Sequence, residues 1–408
     1  MTNGTSEFEV VIVGGGAAGI ATAASLHKRE PSLRIAIVEP SDKHYYQPGW
    51  TMVGGGIFQA KQTERDMASV MPDYVSWIRQ AATAFEPGNN TVVLADGSRI
   101  KYIFLVVAAG LKLDWDGVEG LSDTLGRNGV TSNYRYDLAP YTWELVQRLR
   151  SGRALFTQPP MPIKCAGAPQ KAMYLSCSEW ERRGVLSDID VHFHNAGGVL
   201  FGVADYVPAL MEYVGRYGIT LDLNERLTAV DGSAKTATFE TADGSKTVDF
   251  DMLHVCPPQT APDFIKSSPL AGEGGWIDVD QETLRHTRFD NVFGLGDCTN
   301  TPNAKTAAAA RKQAPIVASN LIAAILDKPM PSQYDGYGSC PLTVERGKIV
   351  LAEFGYGGKL LPSFPDWALD GTKPTRRAWV LKADILPKLY WEGMLKGHEW
   401  LVKPGKLG

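Results

Sequence analysis

The apolar run Phe8-Glu-Val-Val-Ile-Val13, followed at once by Gly14-x-Gly16-x-x-Gly19 and an alanine-rich stretch to Leu26, constrains this chain more than any other feature. The β-branched run predicts a buried strand, the glycines a tight turn and the alanines a helix. A turn of Gly14, Gly16, Ala17, Ala18 and Gly19 lets the backbone approach a pyrophosphate, whose charge then sits at a helix amino terminus. Arg34 to Val38 predicts the next strand and ends on Glu39, 20 residues after Gly19, where a carboxylate accepts a hydrogen bond from a ribose hydroxyl. One βαβ unit of a dinucleotide-binding sheet is therefore expected.

Two further segments complete that expectation. Phe104-Leu-Val-Val-Ala-Ala-Gly110 reads as a returning strand that brings Ala109 and Gly110 to the same site. Val292-Phe-Gly-Leu-Gly296-Asp297 ends in Gly-Asp ahead of an Ala-rich helix that opens at Lys305 and Thr306. That arrangement suits the ribityl chain of FAD, with a helix dipole aimed at the flavin ring. FAD is the expected cofactor.

Thr91 to Gly110 and Ala237 to Pro258 resemble each other, each with Asp-Gly between strand-like runs and a buried strand after it. Two Rossmann-like units of α/β class are expected, the second opening at Ala154-Leu-Phe-Thr157 with a further strand at Val191 to His194. The 408 residues divide into a discontinuous FAD-binding domain (1–118 and 270–330), a second domain (119–269) and a carboxy-terminal region (331–408).

Composition excludes other classes. A net charge of −4 with no long basic block gives no field for nucleic acid. The amino terminus has neither a basic nor an apolar leader segment, and no apolar stretch reaches the roughly 20 residues of a spanning helix. Five sparse cysteines fit neither a secreted disulfide scaffold nor a zinc site. His192 and His194 face one side of a strand with no neighbouring ligand in sequence, so no metal is expected.

A second nucleotide turn is expected after Thr157, yet the chain reads Gln-Pro-Pro-Met-Pro-Ile-Lys-Cys165. Prolines remove backbone donors and suit a pyrophosphate poorly. Cys165 instead stands just before a predicted helix, beside Lys164 and near Lys171, a setting that favours thiolate. Cys340, in Tyr-Gly-Ser-Cys-Pro-Leu, is expected on a turn. Cys177, Cys256 and Cys298 are expected to be structural.

The runs Lys164-Cys-Ala-Gly-Ala-Pro-Gln-Lys171, Gly296-Asp-Cys-Thr-Asn300, Lys305-Thr-Ala-Ala-Ala309 and Tyr334-Asp-Gly-Tyr-Gly-Ser-Cys-Pro-Leu342, with Ala383-Asp384 and Tyr390-Trp391, resemble the sulfide:quinone oxidoreductase family, in its mitochondrial-type branch. The resemblance covers nearly the whole chain. It implies a Cys165–Cys340 redox disulfide that hydrosulfide opens, with Cys165 the flavin-facing thiolate and Cys340 the carrier of a persulfide. Electrons then pass through FAD to a quinone, and the persulfide sulfur passes to sulfite, glutathione or sulfide. No Cys occurs between Gly110 and Pro160, so the covalent flavin attachment of other branches is not implied, and FAD is expected to bind non-covalently. The alternatives are an NADH:quinone oxidoreductase of the same fold and an FAD-bearing redox sensor without turnover.

From Arg376 to Gly408 seven basic residues stand against three acidic ones, interleaved with Trp379, Leu381, Ile385, Leu386, Leu389, Tyr390, Trp391, Met394, Leu395 and Trp400. Such a mixture suits a membrane interface or a tail that docks on its own core. Lys382, Tyr390 and Trp391 are the expected quinone-side residues. The implied location is peripheral, on a bacterial or mitochondrial inner membrane, with homo-oligomerisation left open.

Overall fold

Ser6–Val13 is the central strand, parallel to Ile35–Val38 on one side and to Arg99–Val107 on the other. Its last four residues are buried, as a strand covered on both faces requires. The computed structural model describes residues 6–402 and 404–406. The sheet has seven strands; Ser76–Ile78 extends it beyond Ile35–Val38, and Val292–Gly294 returns to pair with Leu105–Val107. Thr91–Leu94 runs antiparallel to the start of Arg99–Val107, so the Asp-Gly hairpin feeds straight into the parallel sheet.

Two glycines explain how the first turn closes. Gly14 has φ +108°, and a Cβ there would lie 2.4 Å from the Ala108 carbonyl oxygen. A Cβ on Gly19 would lie 1.9 Å from the Gly14 carbonyl, because helix Ala17–Arg29 presses directly on the turn. Gly19→Ala therefore has to push helix and turn apart; purified protein is expected to lose most of its bound flavin, measured as the ratio of flavin to protein absorbance. Retention of full flavin content would show that the turn tolerates the displacement.

The second sheet is wholly parallel and has five strands in the order Val130–Thr131, Met252–His254, Gly152–Gln158, Ile189–Asn195, Thr220–Leu223. Two Rossmann-like units are thus present. The repeat is looser than the sequence suggests. Thr236–Thr241 and Gly244–Asp249 form a separate antiparallel meander with Arg226–Asp231, and the chain re-enters the parallel sheet only at Met252.

The expected third region builds little core of its own. Cys340 lies inside strand Gly338–Glu345, which pairs with Lys348–Phe354; the expected turn is displaced to Arg346-Gly347. Pro341 is compatible with this position because the hairpin has only two strands. Cys340, Leu342, Val344 and Val350 join the core of the second sheet, whereas Tyr390, Trp391, Met394 and Leu395 join that of the first.

The carboxy-terminal segment is helical from Arg376–Val380 through two π turns, Leu381–Ile385 and Leu389–Gly393, to Met394–Lys396. Glu399 then accepts hydrogen bonds from Arg29 (2.5 Å) and Ser25 (2.6 Å), fixing the segment to helix Ala17–Arg29. Val380, Ile385, Trp400 and Leu401 remain exposed. Lys403 lies outside the described residues. Among the described residues no helix is long and apolar enough to cross a membrane.

Candidate functional site

A cleft of about 520 Å³ runs between the two sheets and the carboxy-terminal helix. It is lined from the first sheet by Gly14, Gly16, Ala17, Ala18, Glu39, Ala109 and Gly110, and from the returning strand and helix by Gly296, Asp297, Lys305 and Thr306. Cys165, Lys171, Lys382 and Tyr390 line it as well. Gly19 lies beneath the turn. Trp391 is turned away, with Arg65 over its ring at 4.7 Å.

The glycine end fits a dinucleotide. A Cβ on Gly16 would meet nothing within 4 Å, so open space faces the backbone where a pyrophosphate approaches. Glu39 accepts from the Gly15 and Ser41 backbone amides, both at 2.8 Å, which fixes its carboxylate at the strand end. Helix Ala307–Ile325 starts in the cleft, capped by Thr306 Oγ1, which accepts from the Ala309 amide. Buried polar atoms in the cleft wall lack partners: Trp50 Nε1, Thr51 Oγ1, the Asn133 amide group and Arg311 Nε. A buried polar atom without a partner is costly, and a polar ligand in the cleft relieves that cost. Burial raises the Asp297 pKa, while Lys305 and Lys164 oppose the rise.

The thiols meet. Cys165 Sγ and Cys340 Sγ stand 3.8 Å apart across 175 residues of chain. A disulfide bond of about 2.05 Å requires the two sulfurs to close by less than about 2 Å. Cys165 has φ +52°, a left-handed conformation unusual for a side chain of this kind and the sort of strain that functional sites hold. Three contacts hold it there. Its amide donates to the Lys305 carbonyl at 2.8 Å, its carbonyl accepts from Ala168 at 2.7 Å, and Lys171 Nζ donates to its sulfur at 3.0 Å.

These contacts divide the thiols by acidity. The hydrogen bond from Cys340 favours a charged Cys165 sulfur, and although burial opposes this, the Lys171 ammonium holds the thiol well below the ordinary cysteine range. Cys340, fully buried and facing that negative sulfur, is pushed well above it. Burial works against the charge on Lys171, yet the two thiols leave it more basic than usual. Cys256 and Cys298 are driven up by burial, to about 12 and about 11, and Cys177 is driven up as well. All three are buried.

The far wall comes from the carboxy-terminal helix. Lys382 is buried, donates to the Pro48 carbonyl at 2.9 Å and is pushed down to about 7 by burial and by Lys171. Tyr390 lies 2.6 Å from His44 Nε2, and His44 Nδ1 lies 3.2 Å from the Gly15 carbonyl. A carbonyl only accepts, so Nδ1 carries the proton and the Tyr390 hydroxyl donates to Nε2. Burial lowers the His44 pKa to about 4, so the ring is neutral at pH 7. Sequence reasoning missed His44; Lys43-His-Tyr-Tyr46 carries no motif. Tyr390→Phe leaves the His44 nitrogen buried and unpaired, and is expected to cost about 1–3 kcal/mol of unfolding free energy in a urea titration. A cost near zero would mean that this contact holds nothing.

The structure adds neighbours to the two histidines. Asp222 and Glu225, from the neighbouring edge strand and its loop, stand beside His192 and His194. Sequence separations of about 30 residues hid them.

A family model described as pyridine nucleotide-disulphide oxidoreductase matches residues 8–147 and 204–314, leaving the Cys165 loop in the unmatched interval. The mitochondrial sulfide:quinone oxidoreductase of Dictyostelium discoideum is 45% identical over 398 residues, covering 97% of this chain and 87% of that protein. Its namesake from Mus musculus is 39% identical over 396 residues, covering 96% and 87%. Among solved structures, the sulfide:quinone oxidoreductase of Aquifex aeolicus superposes with a TM-score of 0.79 at 20% identity, covering 97% of this chain and 92% of that one, a likeness of fold.

Proposed function

The chain belongs to the sulfide:quinone oxidoreductase family, within the pyridine nucleotide-disulphide oxidoreductases, and from that membership we propose that it oxidises hydrogen sulfide at a Cys165–Cys340 disulfide and reduces a membrane quinone. The observation that carries this reading is the 3.0 Å contact of Lys171 Nζ with one sulfur of a pair only 3.8 Å apart.

Thiol exchange favours expulsion of the more acidic thiol. Cys165 is that thiol, so hydrosulfide attacks the Cys340 sulfur. The S–S bond breaks, the Cys340 sulfur gains a persulfide S–S bond, and Cys165 leaves as a thiolate that Lys171 stabilises. A nucleophilic acceptor, such as sulfite, glutathione or a second sulfide, then takes the outer sulfur and leaves Cys340 a thiol. Bound FAD supplies the two-electron relay from the thiol pair to quinone, and the disulfide reforms. The glycine turn, Glu39, Ala109, Gly110, Gly296, Asp297, Lys305 and Thr306 would hold FAD non-covalently, beside the amino terminus of helix Ala307–Ile325. Lys382 and Tyr390 form the quinone side. Lys382, balanced near neutrality, holds a proton for the reduced quinone. The exposed Val380, Ile385, Trp400 and Leu401 are the peripheral contact with an inner membrane, where quinone dissolves.

The test is anaerobic titration of the purified protein, followed by flavin absorbance. Sulfide bleaches the flavin and added quinone restores it through many cycles. Bleaching by NADH but not by sulfide would overturn the reading in favour of nicotinamide chemistry, and a single reduction without turnover would make the protein a redox sensor.

A further inference from the structure

His192 and His194 project from one face of strand Ile189–Asn195, their rings nearly parallel with centroids 5.7 Å apart. Asp222, directly across from His194 on the edge strand Thr220–Leu223, aims one oxygen at both. Its Oδ2 lies 2.7 Å from His192 Nδ1 and 3.8 Å from His194 Nδ1. One donor atom from each of these three residues falls within 4.8 Å of the others. Glu225 Oε2 adds a fourth, 2.8 Å from His194 Nδ1. Around a tetrahedral ion with bonds of about 2.0–2.2 Å, donors stand roughly 3.3–3.6 Å apart, so the atoms of His192, His194 and Asp222 need only small shifts from their present spacing, and Glu225 has to swing toward them.

The surrounding contacts fit the same arrangement. His192 Nε2 lies 3.1 Å from Asp190 Oδ1, and Arg153 Nε donates to Asp190 at 2.8 Å. A carboxylate behind a ligating imidazole fixes its tautomer and makes the other nitrogen a better donor to a metal. Lys246 Nζ approaches Asp222 at Oδ1 (3.3 Å) and Glu225 at Oε1 (3.0 Å), the oxygens not directed at the imidazoles, although it also reaches Glu225 Oε2 at 3.3 Å. It holds both carboxylates in place, and an ion has to displace it from Glu225 Oε2.

We propose that His192, His194 and Asp222, completed by Glu225, form a binding site for a divalent transition metal of the zinc class, separate from the sulfur chemistry. None of the four lines the cleft that contains Cys165. The ion displaces the protons that the two Nδ1 atoms now share with the carboxylates. It ties strand Ile189–Asn195 to the edge strand Thr220–Leu223 and to the Glu225 loop that leads into the meander, whose Phe239 ring stacks on His194 at 3.8 Å. Binding carries a cost, because His194 Nε2 is buried without a partner and has to carry the proton once Nδ1 is ligated.

The experiment is calorimetric titration of ZnCl2 into the flavin-loaded protein, with thermal unfolding measured alongside. One equivalent is expected to bind and to raise the unfolding temperature. His192→Gln and Asp222→Asn each weaken binding by about 10-fold or more and remove the thermal shift. Both positions are chosen because His194 is buried and stacked, and its loss would confound folding. The Cys165→Ser/Cys340→Ser double variant, which removes the competing thiol ligands, retains the site. Loss of binding in the cysteine variant, full affinity in His192→Gln and Asp222→Asn, or no heat up to ~100 µM metal would each overturn the proposal.

Discussion

Replacing Cys340 by Ser is expected to lower sulfide-driven quinone reduction by on the order of 10³-fold or more, while the flavin stays bound. The oxygen is smaller than the sulfur it replaces and the position is fully buried in a hairpin strand, so the fold survives. Cys165→Ser should cost as much, and the double variant no more than either single one. Residues that act as one unit give such non-additive losses, and on the proposed mechanism removing either sulfur removes the disulfide. The measurement is steady-state quinone reduction under anaerobic sulfide for all three proteins. Activity above a tenth of wild type in either single variant would mean that sulfide donates its electrons elsewhere.

Lys171→Met is the second large effect, and its signature lies in pH. With the ammonium 3.0 Å from its sulfur, Cys165 stays a good leaving group as pH falls, until the pH passes below its depressed pKa. Without the ammonium the Cys340 hydrogen bond remains but the charge that opposes burial is lost, so the thiol rises toward the ordinary cysteine range and the thiolate population at pH 7 falls. The acid limb of kcat/KM for sulfide therefore moves to higher pH, and the rate approaches wild type in alkaline solution. Hydrosulfide also becomes scarce in acid, so the ratio of variant to wild type at each pH is the quantity to plot. Lys171→Arg keeps the charge and restores most of the rate at pH 7. A deficit constant across pH would assign Lys171 a packing role only.

The first sheet was legible in the sequence because its determinants are local. Gly14, Gly16 and Gly19 act over six residues, and Glu39 and Asp297 each follow a strand, Ile35–Val38 and Val292–Gly294, whose apolar run is plain. Two strands of the second sheet, at residues 154–157 and 191–194, and the helix after Cys165 were legible for the same reason, whereas the order of its five strands was not. Cys340 was misread as a turn because Gly336, Gly338 and Pro341 are turn formers, yet the alternation from Ser339 to Glu345 and the Arg346-Gly347 corner make it a hairpin strand. Contacts between distant segments left no trace: Tyr390 with His44, Glu399 with Arg29, and the carboxylates beside His192 and His194. Such pairings depend on tertiary folding, and single residues of common type give no spacing to read.

The amide of Cys165 is hydrogen-bonded to the Lys305 carbonyl, and Lys164 and Lys305 pair as neighbouring strands do. One backbone seam thus joins the Cys165 loop to Lys305, just ahead of the cap of helix Ala307–Ile325. A hinge that gaped to admit bulky reactants would have to tear this seam at every cycle, so the two halves work as a fixed frame. On the proposed mechanism, the nucleophile and any acceptor of its sulfur would have to reach the thiols through the cleft as it stands.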